Sequence, residues 1–202
     1  MGRKRDLGDK SARHDTFYRR AKSEGFAARA VYKLEELDRR FGLVHPGNRV
    51  LDLGCWPGSW LQYLERRVGP NGRVVGIDRK PVEIALGPNV RVELGDLREV
   101  LPELLLGDLA AFDVVVSDMA PDTTGIRDVD QARSEALFQR ALEIALAVLR
   151  PGGRFAGKLF QGGDAPRLRA SVKAAFGTLR ECKPAGSRTQ SIERYLVGLD
   201  RR

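Results

Sequence analysis

The sequence predicts an α/β fold, a doubly wound and mostly parallel sheet with helices on both faces. Short apolar segments recur along the chain, helical patterns fall between most of them, and Gly, Pro, Asp and Asn punctuate the junctions. Apolar strands alternating with helices imply a parallel sheet covered on both sides. In such sheets ligands bind outside the carboxyl ends of the strands, near the point where strand order reverses.

The elements follow in order. Residues 1–15 are polar and basic without apolar periodicity and read as a flexible arm; residues 16–202 read as one domain. A helix is predicted over Ala27 to Phe41, where Ala30, Val31, Leu34 and Leu37 form an apolar stripe and Gly42 is the stop. Strands are predicted at RVLDL (Arg49 to Leu53), RVVGI (Arg73 to Ile77), VRVEL (Val90 to Leu94), FDVVVS (Phe112 to Ser117) and RFAGKLF (Arg154 to Phe160). The clearest intervening helix spans Asp130 to Leu149 and stops at Pro151-Gly152-Gly153. RYLVGL is the last strand and follows the stretch from Gly177 to Arg188, to which no element is assigned.

Composition narrows the function. The 202 residues are 42% hydrophobic and 31% charged, enough for one core of their own. No apolar run reaches the ~20 residues of a membrane span and no secretory signal opens the chain. Asp6, Asp9 and Asp15 argue against a mitochondrial address, so a cytoplasmic protein is expected, and no membrane partner. Cys55 and Cys182 have no metal-ligand spacing, and no metal site is expected. His14 and His45 carry no visible role. The net charge of +8 favours a polyanion, since each phosphate neutralised by Lys or Arg releases counterions. Arg3, Lys4, Arg5, Lys10, Arg13, Arg19, Arg20, Lys22 and Arg29 crowd the first thirty residues, more tightly than dispersed surface charge would.

After the first strand, LDLGCWPGSW brackets a tight turn with Asp52, Gly54 and Gly58. It is not a G-x-G-x-x-G dinucleotide loop, because Trp56 stands at the second glycine. Two glycines alone are equally consistent with a turn that holds no ligand. The second strand leads into Asp78, roughly twenty residues past that turn, where a nucleoside's ribose hydroxyls are usually held. The third ends Leu94-Gly95-Asp96, with a carboxylate placed to accept from an adenine amino group. Singly, each acid reads as a turn or cap residue; together they converge on a nucleoside.

LDLGCWPGSWLQY, VVSDMAPDTTG, GKLFQGG and GSRTQSIERYLVG, collinear from about Phe17 to the C-terminus, resemble the FtsJ/RrmJ family of ribose 2'-O-methyltransferases. The resemblance implies a Rossmann-like class I methyltransferase fold with an antiparallel last strand and S-adenosylmethionine as cofactor. It implies cofactor contacts from Gly58 and Trp60, from Asp78 at the ribose, Asp96 at the adenine and Asp118 near the methionine. The chain departs from the family at Trp56, where a small residue is usual.

Lys158 is the oddest residue, a lysine inside apolar FAGKLF. A buried lysine is costly unless paired, and without Asp118 at the end of the neighbouring strand it would read as a snorkelling surface side chain. Lys33 and Glu193 alone would read as solvated charges. The resemblance assigns Lys33, Asp118, Lys158 and Glu193 to a catalytic tetrad. In this reading Lys158 orients the 2'-hydroxyl, Asp118 and Glu193 position Lys158, and Lys33 steadies the ribose or a phosphate. Lys158 acts either as the base or as a fixed cation for the developing alkoxide, with the proton leaving to water.

The expected partner is RNA, met by the basic arm and Lys33. With 7% aromatics, phosphate contact should dominate. Similarity to compact bacterial-type members implies a uridine of large-subunit ribosomal RNA, on a monomeric enzyme with no DNA partner. A tRNA anticodon loop is the second substrate class. A non-catalytic RNA-binding assembly factor is set against the intact tetrad, and a nicotinamide oxidoreductase against the missing glycine fingerprint.

Overall fold

The computed structural model describes residues 16–187 and 191–202. The arm over residues 1–15, and residues 188–190 of the GSRTQS motif, lie outside the described residues. In chain order the elements are α1 (Thr16–Ser23), α2 (Val31–Phe41), β1 (Arg49–Leu53), α3 (Ser59–Val68), β2 (Arg73–Asp78), β3 (Val90–Leu94), a 3-10 turn (Pro102–Leu105), β4 (Phe112–Ser117), α4 (Arg127–Val148), β5 (Leu149–Phe160), α5 (Ala165–Ala175), β6 (Phe176–Cys182) and β7 (Glu193–Arg201).

One seven-stranded sheet has the order β3-β2-β1-β4-β5-β7-β6. β1 to β5 are parallel, and β7 runs antiparallel between β5 and β6. The chain winds outward from β1 to β3, then restarts at β4 on the other side of β1, so the strand order reverses between β1 and β4. Two apolar cores flank the sheet. One packs Leu51, Val75, Val115 and Phe155 against Phe138 and Ile144 of α4 and Leu168 and Val172 of α5. The other packs Val50, Val74, Val114 and Val116 against Leu34 and Leu37 of α2 and Leu61 and Leu64 of α3.

The predicted strands and the antiparallel last strand are present, with three differences. The first core helix starts at Val31 rather than Ala27, because α3 holds the preceding residues: Gln62 Oε1 accepts from Ala27 N and Trp60 Nε1 donates to Ala30 O at 2.8 Å. β5 begins at Leu149, and its register against β4 shifts between Phe112 and Val114, so the Pro-Gly-Gly segment lies within a bulged strand. β6, the outermost strand, is fully buried only at its ends, Phe176 and Cys182, which leaves no period-two pattern to read.

Candidate functional site: an acidic crevice and a buried lysine–carboxylate cluster

Strand periodicity places the site. Val114, Val116, Ala156 and Val197 all belong to the core beneath α2 and α3. Because side chains alternate along a strand, Asp118, Lys158, Tyr195 and Glu193, each a multiple of two residues from one of these, share that side of the sheet. Lys158 is paired in register with Tyr195, and Phe160 with Glu193. Lys33 comes in from α2, whose position is fixed by buried Asp38: it accepts from Val44 N, from Tyr63 Oη on α3 and from Arg67 Nε at 2.8 Å each.

The four charges meet. Lys158 Nζ lies 2.9 Å from Asp118 Oδ1 and donates to Asp118 O at 2.5 Å. Lys33 Nζ lies 2.7 Å from Glu193 Oε1 and 3.7 Å from Asp118 Oδ1. Tyr195 Oη donates to the same Asp118 oxygen, and its ring packs against Trp60. Lys158 and Glu193 are buried. Burial works against an ionised Asp118, but Lys158, Lys33 and the Tyr195 hydroxyl reverse this and hold its carboxyl below the ordinary value. Burial likewise opposes the Glu193 charge, and Lys33 brings it below its ordinary value. Burial, followed by the Asp118 and Glu193 charges, pushes the Tyr195 phenol well up, so it remains a hydrogen-bond donor. Glu193 was expected to position Lys158; the structure pairs it with Lys33, and Asp118 is the group that touches both lysines.

Beside this cluster, the carboxyl ends of β1 to β4 form an acidic crevice. Asp78 receives Trp56 N on Oδ2 and Lys80 N on Oδ1, at 3.0 and 2.9 Å. Asp96 is gripped by the backbone N and guanidinium of Arg98, which hold its carboxyl well below the usual range. Asp52 is fully buried with no hydrogen-bond partner on either oxygen among the described residues; burial, then Asp118 and Asp78, keep its carboxyl well above the ordinary value. Gly54 has φ of +83°, and a Cβ there would lie 2.6 Å from Met119 Cγ, so the turn passes close to the end of β4. Gly58 opens α3 at φ +105°. Trp60 is buried with its indole N–H committed to Ala30, which leaves its backbone for any ligand.

Sequence reasoning missed Tyr195 and the depth of Asp52. Alternation along β7 could have found Tyr195, two residues past Glu193 on the same side. Among the described residues no His, Cys, Asp and Glu cluster could hold a metal ion, and no helix is long and apolar enough to cross a membrane.

A doubly wound sheet with a row of acidic residues at its switch point, and a lysine–carboxylate cluster beside them, fits the class I methyltransferase architecture. The chain belongs to the FtsJ-like methyltransferase family, whose model matches residues 26–201, and it is a methyltransferase. A ribosomal RNA large subunit methyltransferase E of Syntrophobacter fumaroxidans is 50% identical over 92% of this chain and 94% of its own length. Its counterpart in Sorangium cellulosum is 45% identical over 94% of this chain and 89% of its own. A Plasmodium falciparum protein described as a ribosomal RNA methyltransferase superposes with a TM-score of 0.76 at 28% identity, covering 87% of this chain and 98% of that one. Aeropyrum pernix fibrillarin, solved with S-adenosylmethionine bound, shares the fold at a TM-score of 0.52 and 18% identity, over 78% of this chain and 68% of its own.

Proposed function

We propose that the chain transfers a methyl group from S-adenosylmethionine to a ribose 2'-hydroxyl of large-subunit ribosomal RNA, at a uridine. The observation that carries this reading is the convergence of Lys158 and Lys33 on Asp118 at the wall of an acidic crevice. The crevice residues suit the cofactor: four carboxyls on successive strand ends match a ligand carrying a sulfonium and an ammonium, and Asp52 keeps two unpartnered oxygens there. In this reading Asp78 binds the ribose, Asp96 the adenine amino group, the backbone at Gly58 and Trp60 lines the turn, and Asp118 lies toward the methionine.

The bound cofactor supplies an electrophilic methyl carbon on a sulfonium. The protein's own residues must hold the hydroxyl in line and manage its proton. Asp118 occupies two of the three N–H donors of Lys158, through its carbonyl and carboxylate, and the third is available to the 2'-oxygen. Tyr195 and Asp118 fix the ammonium in place. Lys33, tethered by Glu193, presents a second cation for the ribose or its phosphate.

The test supplies the purified protein with methyl-labelled cofactor and large ribosomal subunits from a strain lacking the corresponding gene. A 2'-O-methyl blocks alkaline cleavage of its own linkage, so the label should emerge in an alkali-resistant dinucleotide containing uridine. Label in a free base, or on tRNA anticodon loops and not on the large subunit, would defeat the reading.

A further inference from the structure

The turn after β1 carries a side chain that the chemistry above does not use. Trp56 contributes its backbone N–H to Asp78, which any residue but proline could supply, yet its indole is 50% exposed. Lys80 Nζ sits 4.4 Å from the ring centroid, and Lys80 N binds the other Asp78 oxygen. The two side chains are therefore stacked on each other and tied through one carboxylate to the crevice. A half-exposed indole loses hydrophobic stabilisation it would gain if buried, and a ring braced by a cation on one face has a second face to offer.

We propose that Trp56 and Lys80 form a subsite for the RNA substrate, in which an unpaired nucleobase stacks on the indole and its phosphate meets the Lys80 ammonium. The inference rests on the RNA reading above and adds a contact to it. Charge favours RNA over the cofactor: an ammonium against the indole is drawn to a polyanionic phosphodiester chain, and gains nothing from S-adenosylmethionine, whose sulfonium, ammonium and carboxylate leave it net positive. Position agrees. Trp56 lies in the turn that opens α3, and α3 is bound to the start of α2 through Trp60 and Ala30, so Trp56 and Lys33 stand on elements tied to each other. Arg79, also exposed and 3.7 Å from Asp122, adds a second cation at the end of β2. Among the described residues Tyr18 is the other exposed ring, and it lies on α1.

The protein has two tryptophans and Trp60 is buried, so quenching by direct contact with a nucleobase reaches the Trp56 indole. Titrating the protein with an oligoadenylate of about ten nucleotides should quench Trp56 fluorescence in a saturable, salt-sensitive way, because stacking on aromatic rings tolerates any base. Trp56→Phe, with an unchanged melting midpoint and unchanged S-adenosylmethionine affinity, should lose the quenched signal. Trp56→Ala should raise KM for large subunits roughly 5- to 150-fold, the equivalent of losing one stacked base, with kcat changed much less. Lys80→Ala should lower the salt slope of RNA binding by about one. Quenching by S-adenosylmethionine alone, with weaker cofactor binding in Trp56→Ala and an unchanged KM for RNA, would assign the indole to the cofactor and overturn the proposal. So would absent quenching with an unchanged KM. Failure of the wild-type protein to methylate any RNA would instead defeat the broader reading, and leave the fluorescence titration interpretable.

Discussion

The two ends of β4 each hold an aspartate between two cations, and the pairs differ in one respect that matters. At the amino end Asp113 accepts from Arg49, through its backbone N and guanidinium, and from Arg150 at 2.6 Å. At the carboxyl end Asp118 meets Lys158 and Lys33. Both carboxyls are held below their ordinary values against burial. Guanidinium is planar, always charged and matched to a carboxylate fork, so the Asp113 cluster is closed: four N–H groups fill its two oxygens and lock β1, β4 and β5 together. Ammonium is compact, with three rotatable donors, so the Asp118 cluster holds its cations rigidly and still has hydrogen-bonding capacity to give. The arginines are about a third exposed, whereas the Lys158 side chain is 5% exposed and can act on a substrate away from bulk water. One strand thus carries a structural clamp at one end and, in the proposed function, the reactive cluster at the other.

Breaking the reactive end should give the largest effect. Lys158→Ala is expected to fold and bind cofactor nearly normally while single-turnover methyl transfer falls by at least ~100-fold, the usual loss on removing a general acid or base. Lys158→Arg sharpens the comparison, since it puts the residue type of the Asp113 end into the Asp118 end. If Lys158 is the base, the Arg variant, whose guanidinium cannot give up a proton, is as slow as the Ala variant. If it is a fixed cation, Arg retains substantial activity. Near-wild-type turnover by Lys158→Ala would return this lysine to a structural role.

Only the Asp118 end of that contrast was legible in the sequence. An isolated lysine in FAGKLF and the aspartate that follows FDVVVS can meet in a doubly wound sheet, whereas Lys33 and Glu193 were assigned through the family resemblance and the Asp113 clamp was not read. What could not be read was which carboxylate serves which lysine, because Lys33 arrives from a helix whose placement depends on Asp38, Tyr63 and Arg67, contacts spanning up to 29 residues. The edge strand β6 escaped because neither of its faces is continuously buried, and α2 began later than its apolar stripe because Trp60 takes the Ala30 carbonyl.

The structural end should respond in the opposite currency. Asp113→Ala leaves two partly exposed arginines without their acceptor, so the cost is smaller than for a fully buried pair, about 1–2 kcal/mol, which lowers the melting midpoint by a few degrees in a chain of this size. Single-turnover methylation below the melting transition should stay within a few-fold of wild type. A rate loss comparable to that of Lys158→Ala, in a folded variant, would mean that the two ends of β4 are not separable.

Asp52 offers the last contrast: it lies on the neighbouring strand and has no cation partner among the described residues. Burial, and then the Asp118 and Asp78 charges, push its carboxyl well above the ordinary value in the fold, whereas in the unfolded chain it ionises near pH 4. A folded state that binds the extra proton is favoured at low pH, so this group's contribution is fully present below the unfolded value and declines as pH rises toward the folded one. Asp52→Asn cannot ionise in either state. The stability difference between the variant and the wild-type protein should therefore shift in favour of Asn as pH rises from 5 to 8, with a slope of at most about 1.4 kcal/mol per pH unit, measured by urea unfolding without cofactor. A difference independent of pH over that range would show that Asp52 is ionised in the fold, and that the crevice supplies it with a partner in solution.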